Sequence, residues 1–320
     1  MSNLSLAKKS LTSSVESQFT LLLKLIETEV RLEEKINTLY FLSNLYSIIE
    51  ESSKKLYELL LVNLIIKDDN ENVRYHSAKI LSNLPTIFDN TENLLIDTLG
   101  FENDPIIKMN CVWVLGKRKI ERAVDAIHHL IQKSVELNLL RVSATALGRI
   151  KDRKSIPVLV KLFHIGDKLI TRRVLWALGE IGSLDVVDEI VNFVDGDDYR
   201  IYDEAFQSLL KICRSPLSAN VSPEMIESVN YIQNNITSLV KSKPHGAYRF
   251  MVDQFAILPN GILLVSFTDG HLLAYAMFAI NASEEEPPVR LILEKRHKAL
   301  LLYSTLFSKK ARNSWIFCLT

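Results

Sequence analysis

The sequence predicts a mainly α-helical solenoid of about six stacked helical hairpins, followed by a small β-rich C-terminal region. One segment returns along the chain, centred on Leu81, Leu115, Leu147, Leu178 and Leu209, at intervals of 34, 32, 31 and 31 residues. A weaker copy centres on Leu42. Only 10 Gly and 9 Pro occur in 320 residues, which favours helix over an all-β fold. We call the six central leucines of these copies, from Leu42 to Leu209, the reference leucines.

Each copy carries one apolar helical face. In the five copies from Leu81 to Leu209, the residue eight positions before the reference leucine is aliphatic, and the residue four positions before it is mostly small. Small residues on this face let a neighbouring helix approach closely. Directly after the reference leucine stand Gly116, Gly148 and Gly179, in the last turn, where a helix is about to end.

Every copy continues into a second apolar segment, such as "ERAVDAIHHLIQK" and "SIPVLVKLF". Asp-rich turns separate the copies, and Asp104-Pro105 is typical of a helix N-cap followed by proline in the first turn. Two short helices cannot bury their own apolar faces, but a stack of such pairs can. The solenoid is predicted over residues 1–243, with a capping helix within residues 5–34 and a last helix over 222–243.

The helical pattern of apolar residues gives way to strand-like runs after "KSKPHG" at 241–246. A β-rich domain is therefore predicted over 247–320. Pro259-Asn260-Gly261 and Asp269-Gly270 stand between β-rich runs, which is a hairpin pattern. Two interpretations remain open. Either a small sheet docks on the end of the solenoid, which we favour, or the chain is a fragment of a longer protein.

The segments "LLRVSATALGRIKDRKSIPVLVKLF" and "TRRVLWALGEIGSLDVVDEIVNFV" resemble the HEAT-like repeats of the phycobilisome-lyase type. This resemblance covers about residues 35–215 and implies an armadillo-like α-α superhelix that binds partners on its concave surface. The run "ILPNGILLVSFTDGHLLAYAM" is similar to strands of a WD-repeat propeller blade, without the Gly-His and Trp-Asp dipeptides.

The composition limits which binding partners and which cellular compartment we expect for this protein. Lys and Arg together number 38, equal to Asp and Glu, so no overall field attracts nucleic acid or an anionic membrane. Three distant cysteines without a CxxC pair indicate a reducing compartment. We expect a cytoplasmic protein that does not bind membranes, because the sequence shows no signal core and no apolar run long enough to span a bilayer.

Motifs for catalysis are not evident. The chain contains no His-Glu dipeptide of the kind that holds iron in the HEAT-like deoxyhypusine hydroxylases, no phosphate loop and no nucleophile elbow. In the His128-His129 pair, one side chain is expected to face the core and the other to face solvent. The sequence therefore predicts that the chain is not an enzyme, with no catalytic residues, no metal and no cofactor.

Two surfaces are candidates for binding. Residues fourteen positions after three reference leucines form a predicted polar ladder on the concave surface, the concave ladder: His129, Lys161 and Asn192. Turns within two adjacent repeats concentrate positive charge in a predicted basic edge for an anion or an acidic partner: Lys117, Arg118, Lys119, Arg122, Arg149, Lys151, Arg153 and Lys154.

Three functional hypotheses follow. The first is a non-enzymatic scaffold or adaptor that binds another protein on the concave ladder. The resemblance implies the second, a phycobilin lyase-like protein or a phycobiliprotein-assembly factor. The third is nucleic-acid binding through the basic edge, against which the neutral pI of about 7.1 argues.

Overall fold

A computed structural model describes residues 15–24, 26, 31–85, 87–213, 223–244, 249–258, 262–269, 273–280 and 289–296. The chain divides into two compact units, Met1–Val174 and Leu175–Thr320. This division falls inside a helix, and the predicted domain boundary at residues 243–247 stays a prediction. The strand-like runs predicted over 299–320 and the first part of the predicted capping helix lie outside the described residues.

Unit 1 consists of paired helices. In chain order they are α1 (including 15–24), α2 (Leu32–Leu45), α3 (Glu51–Lys67), α4 (Glu71–Leu81), α5 (Asp89–Phe101), α6 (Pro105–Arg118), α7 (Val124–Lys133), α8 (Leu137–Ile150) and α9 (Ile156–Lys161). The helix α10 (Lys168–Ile181) begins in this unit and ends in the next. Helices with a reference leucine, which we call first helices, contact one another in succession from α2 through α4 and α6 to α8. The second helices α3, α5 and α7 do the same.

Unit 2 continues with α11 (Val187–Val191), α12 (Tyr199–Cys213) and α13 (Pro223–Leu239). Four strands follow: β1 (Met251–Ile257), β2 (Leu263–Thr268), β3 (Leu273–Ile280) and β4 (Val289–Arg296). They form an antiparallel sheet in the order β1-β2-β3-β4. The predicted fold class, an α-solenoid followed by a small β-rich region, is confirmed.

Glycine spaces adjacent first helices. A Cβ added to Gly116 on α6 would lie 2.5 Å from the Cα of Ala146 on α8. In unit 2, a Cβ added to Gly179 would lie 2.9 Å from the Cα of Ser208 on α12. In both cases, the residue directly after one reference leucine packs against the residue directly before the reference leucine of the following repeat. These glycines thus serve close packing, which the sequence pattern did not reveal.

The first helices α6, α8 and α10 end at a left-handed residue, four positions after the reference leucine. This residue is Lys119, with φ 57°, Lys151, with φ 66°, or Gly182, with φ 74°. At the end of α6, the backbone N–H groups of Lys119 and Ile120 donate to the carbonyls of Gly116 and Leu115 at 3.1 and 3.0 Å. This is the Schellman arrangement, in which glycine is the preferred left-handed residue.

Replacing the left-handed lysine should therefore stabilise the protein. We expect Lys119→Gly to raise the free energy of unfolding by about 1 kcal/mol, because a left-handed conformation costs other residues about 1–2 kcal/mol. Lys108→Gly, inside α6, should lower it by about 1 kcal/mol. Urea denaturation of both variants measures the difference, and a destabilised Lys119→Gly would contradict the assignment.

The sheet shares its core with the last helices. Ile232, Ile236 and Val240 pack with the buried side chains of the sheet, including Phe267. On β3, the ring of Tyr275 stacks on Phe206 of α12, with centroids 4.6 Å apart and planes at 9°. Both rings are fully buried. Because Tyr275 alternates along β3 with Ala274 and Ala276 of the Phe267 core, α12 and α13 pack on opposite faces of the sheet within unit 2.

A polar cluster accompanies this stack. The Tyr275 hydroxyl donates to Asp203 Oδ1 at 2.6 Å and accepts from Gln207 Nε2 at 2.9 Å. Burial, together with the Asp203 charge, raises the pKa of Tyr275 above its ordinary value. Because the hydroxyl stays protonated, it keeps its donor role toward Asp203.

Candidate functional site

Two arginines of the predicted basic edge hold the turn of the preceding repeat. Arg118 donates to the carbonyls of Leu84, at 2.5 Å, and of Pro85, at 3.2 Å. Arg122 forms ion pairs with Glu92 and, at 3.3 Å, with Asp89. The two terminal nitrogens of Arg118 therefore already have partners within unit 1, and the positive charge of Arg122 is compensated locally.

The remaining basic residues differ in accessibility. Lys117 donates to Asn83 Oδ1 at 2.7 Å, and Arg149 is half-buried. Burial and the nearby Arg173 lower the pKa of Arg149. The exposed members of the edge are Lys117, Lys119, Arg122, Lys151, Arg153 and Lys154. An anion or acidic partner at this edge stays a prediction.

The members of the predicted concave ladder are all exposed. His129 lies on α7, Lys161 at the end of α9, and Asn192 directly after α11 in unit 2. Next to His129, the half-buried His128 places Nε2 at 2.9 Å from the Ser155 hydroxyl, and burial lowers its pKa. Binding at the ladder stays a prediction.

An aromatic strip crosses three consecutive first helices, α2, α4 and α6. We define it by Tyr40, His76, Tyr75 and Trp113. Tyr40 and His76 meet edge to face at 5.6 Å, and the Tyr40 hydroxyl lies 3.0 Å from His76 Nδ1. His76 contacts Tyr75 at 5.3 Å, and Tyr75 stacks on Trp113 at 6.1 Å with planes at 14°. These rings form one connected surface in unit 1.

The strip is open to solvent and ends in a cation. Tyr75 is 48% exposed, and the other three rings are half-buried. Lys117 Nζ lies 5.4 Å from the centre of the Trp113 ring. A series of π faces beside an ammonium group can bind a flat conjugated molecule that carries negative charge.

Sequence reasoning did not find this strip. Trp113 is half-buried and stacks on an exposed tyrosine. Tyr40 and Trp113 stand two positions before their reference leucines, and Tyr75 stands six before its own. Positions four apart share a helix face, so aligning these two rows would have placed all three rings together.

His76 offers a test of the strip's geometry. Burial first, then the charge of Lys79, lower its pKa below the ordinary value of 6.5. Because the folded state disfavours the charged imidazole, the free energy of unfolding should fall as pH drops below 6.5. An NMR titration should show a His76 pKa that rises in Lys79→Gln. Equal values in both proteins would contradict this environment.

Within the ranges that the structure describes, no group of three or more His, Cys, Asp or Glu side chains is arranged to hold a metal ion. No helix described for this chain combines the length and apolarity needed to span a bilayer.

Comparison with known proteins identifies the repeats. Residues 136–211 match the HEAT repeats family. A relative, "Uncharacterized phycocyanin operon protein Y" of Pseudanabaena tenuis (strain PCC 7409), is 28% identical over 110 residues. This match spans 34% of the chain and about a quarter, 26%, of the relative's length. The predicted resemblance to HEAT-like repeats is confirmed.

Solved structures with a similar arrangement of helices include two repeat proteins. The complex of CpcE and CpcF of phycocyanin lyase from Nostoc sp. PCC7120 is 21% identical, with a TM-score of 0.44, over 55% of this chain and 70% of that chain. A designed armadillo repeat protein in complex with a (KR)4 peptide is 16% identical, with a TM-score of 0.40, over 62% of this chain and 99% of that chain.

These findings correct one expectation. The prediction that the chain is not an enzyme is contradicted, because the proteins that it resembles include a phycocyanin lyase and a phycocyanin operon protein. That prediction rested on missing catalytic motifs.

Proposed function

We propose that this HEAT-repeat chain acts in phycobiliprotein maturation, as a lyase component or as an assembly factor that holds a bilin against its protein acceptor. The observation that carries the proposal is the aromatic strip of Tyr40, His76, Tyr75 and Trp113, which is open on the first helices. The relative encoded in a phycocyanin operon supports the same direction.

The strip suits the chemistry of a bilin. A bilin is an open-chain tetrapyrrole whose conjugated rings can stack on aromatic side chains and whose propionates carry negative charge. Trp113 and Tyr75 supply near-parallel faces, and Lys117 stands beside them to attract a carboxylate. Each aromatic stack contributes about 0.5–1.5 kcal/mol beyond the burial of area.

The protein acceptor is proposed to contact the surfaces predicted from the sequence. Exposed cations of the basic edge, among them Lys119, Arg153 and Lys154, would face acidic groups of the acceptor. Within unit 1, His129 and Lys161 of the concave ladder would add polar contacts. This arrangement places recognition of the acceptor and of the pigment on different side chains.

Spectroscopy tests the bilin site. A free bilin titrated with the purified chain should shift in visible absorbance and gain fluorescence, because stacking on the aromatic strip restricts its motion. Trp113→Ala should raise the Kd about tenfold, equivalent to about 1.4 kcal/mol. Phe101→Ala is the matched control, since this aromatic ring is 66% exposed on α5, away from the strip.

The absence of any spectral change, or equal Kd values for Trp113→Ala and Phe101→Ala, would contradict the bilin site. A second measurement separates the two roles. Apo-phycocyanin is mixed with bilin with and without the chain, and covalently attached bilin is counted after denaturation. Faster attachment indicates a lyase role, whereas tighter bilin binding at an unchanged rate indicates assembly.

A further inference from the structure

A groove of about 440 Å³ lies between the second helices α3 and α5 in unit 1. It does not involve the aromatic strip, which lies on the first helices. Its lining combines apolar, amide and charged side chains: Lys55, Leu59, Phe88, Asn90, Thr91, Asn93, Leu94 and Asp97. A volume of this size accommodates several side chains of a ligand or partner.

Leucines stand on both helices that border the groove. Leu59 of α3 is 43% exposed and Leu94 of α5 is 39% exposed. Leu56, also exposed, lies three residues before Leu59, close to it on the helix surface. Leucines grouped in this way around a concave surface mark an interaction site more often than isolated exposed ones do.

The floor of the groove is held in place from below. Glu58 is fully buried under it, and its carboxylate accepts hydrogen bonds from the Phe88 backbone N–H at 2.9 Å and the Thr91 hydroxyl at 2.8 Å. Both donors belong to lining residues. A rigid floor reduces the ordering that a partner must cause when it binds.

The groove carries opposite charges at its two ends. Lys55 Nζ lies 5.2 Å from the centre of the Phe88 ring, at the start of α5. Asp97 lies nine residues further along α5, about 13 Å away at 1.5 Å per residue. Within the described part of the chain, neither side chain forms an ion pair.

From this arrangement we propose that the α3–α5 groove docks an amphipathic helix of a partner protein. Leucine-type residues of that helix pack against Leu59 and Leu94. An acidic side chain meets Lys55, and a basic side chain about two turns away meets Asp97. The occupant is helical because a groove between two neighbouring helices accepts a third helix, whose residues on one face match this spacing.

Designed peptides test the charge pattern. Three fluorescent 16-residue helical peptides share one leucine stripe and carry, eight residues apart, Glu and Lys, two Lys, or two Glu. The wild-type chain should bind the Glu/Lys peptide about threefold to fivefold more tightly than the others. Lys55→Glu should prefer the Lys/Lys peptide, and Asp97→Lys should prefer the Glu/Glu peptide.

The apolar contact is tested separately. Leu59→Lys should weaken binding of every peptide at least tenfold, whereas Leu137→Lys, an equally exposed leucine on α8, should bind as the wild type does. Circular dichroism confirms that each variant is folded. Unchanged binding by Leu59→Lys, or one peptide preference in all variants, would overturn the proposal. Concentration-dependent dimerisation that Leu59→Lys abolishes would also overturn it, by assigning the groove to a second copy.

Discussion

Replacing Glu58 by Ala should lower the free energy of unfolding by about 3–5 kcal/mol. The Glu58 side chain is fully buried and accepts from Tyr46 Oη at 2.5 Å as well as from Phe88 and Thr91. These donors come from two separate segments, the residues after α2 and the start of α5. Its removal would leave buried donors without acceptors and open a cavity between α3 and α5.

Urea denaturation measures this change, with Glu51→Ala as the control on the same helix, where the glutamate is exposed. The control should stay within about 0.5 kcal/mol of the wild type. Glu58→Gln should fall between the two, because its amide keeps one acceptor oxygen and brings a donor into a site built from donors. Equal stability of Glu58→Ala and the wild type would refute the role of this carboxylate.

Gly116→Ala should destabilise the chain by about 1–3 kcal/mol, although alanine favours helix more than glycine does. The new Cβ would collide with the backbone of Ala146, so α6 and α8 would have to separate. Gly100→Ala provides the opposite case. Gly100 lies in α5 with open space around its Cα, and the same substitution should stabilise by about 0.5–1 kcal/mol.

Thermal unfolding of both variants gives the sign directly. A stabilised Gly116→Ala would show that adjacent first helices tolerate a wider separation than the structure has. Destabilisation of both variants would instead point to a general cost of the added methyl group. Opposite signs would establish the glycine after the reference leucine as the residue that sets the spacing between repeats.

The local part of the fold was predictable from the sequence. Reference leucines at a near-constant interval reflect helices that bury one face, a pattern that spacing alone reveals. The role of Gly116 was not predictable in the same way, because it depends on Ala146, which lies 30 residues further along the chain. A distant contact of this kind becomes visible only when two repeats are aligned in space.

The candidate sites also combine local features, which the sequence predicts, with contacts between distant residues, which it does not. Counting charges located the basic edge, but Arg122 is neutralised by Glu92 and Asp89, which belong to the preceding repeat. The aromatic strip escaped prediction for a related reason. Its rings stand two, five or six positions before their reference leucines and meet only when α2, α4 and α6 stand side by side.

In a stack of similar repeats, the last repeat has no following repeat to cover its apolar face. Molecules can associate head to tail through such a face unless another element covers it. On α12, Leu210 stands where Gly116 and Gly179 stand on earlier first helices, and it is buried. One turn before it, Phe206 is covered by Tyr275 of the sheet. Within unit 2 the sheet thus covers this apolar face of α12, and we expect that its loss would expose a surface through which molecules could associate head to tail.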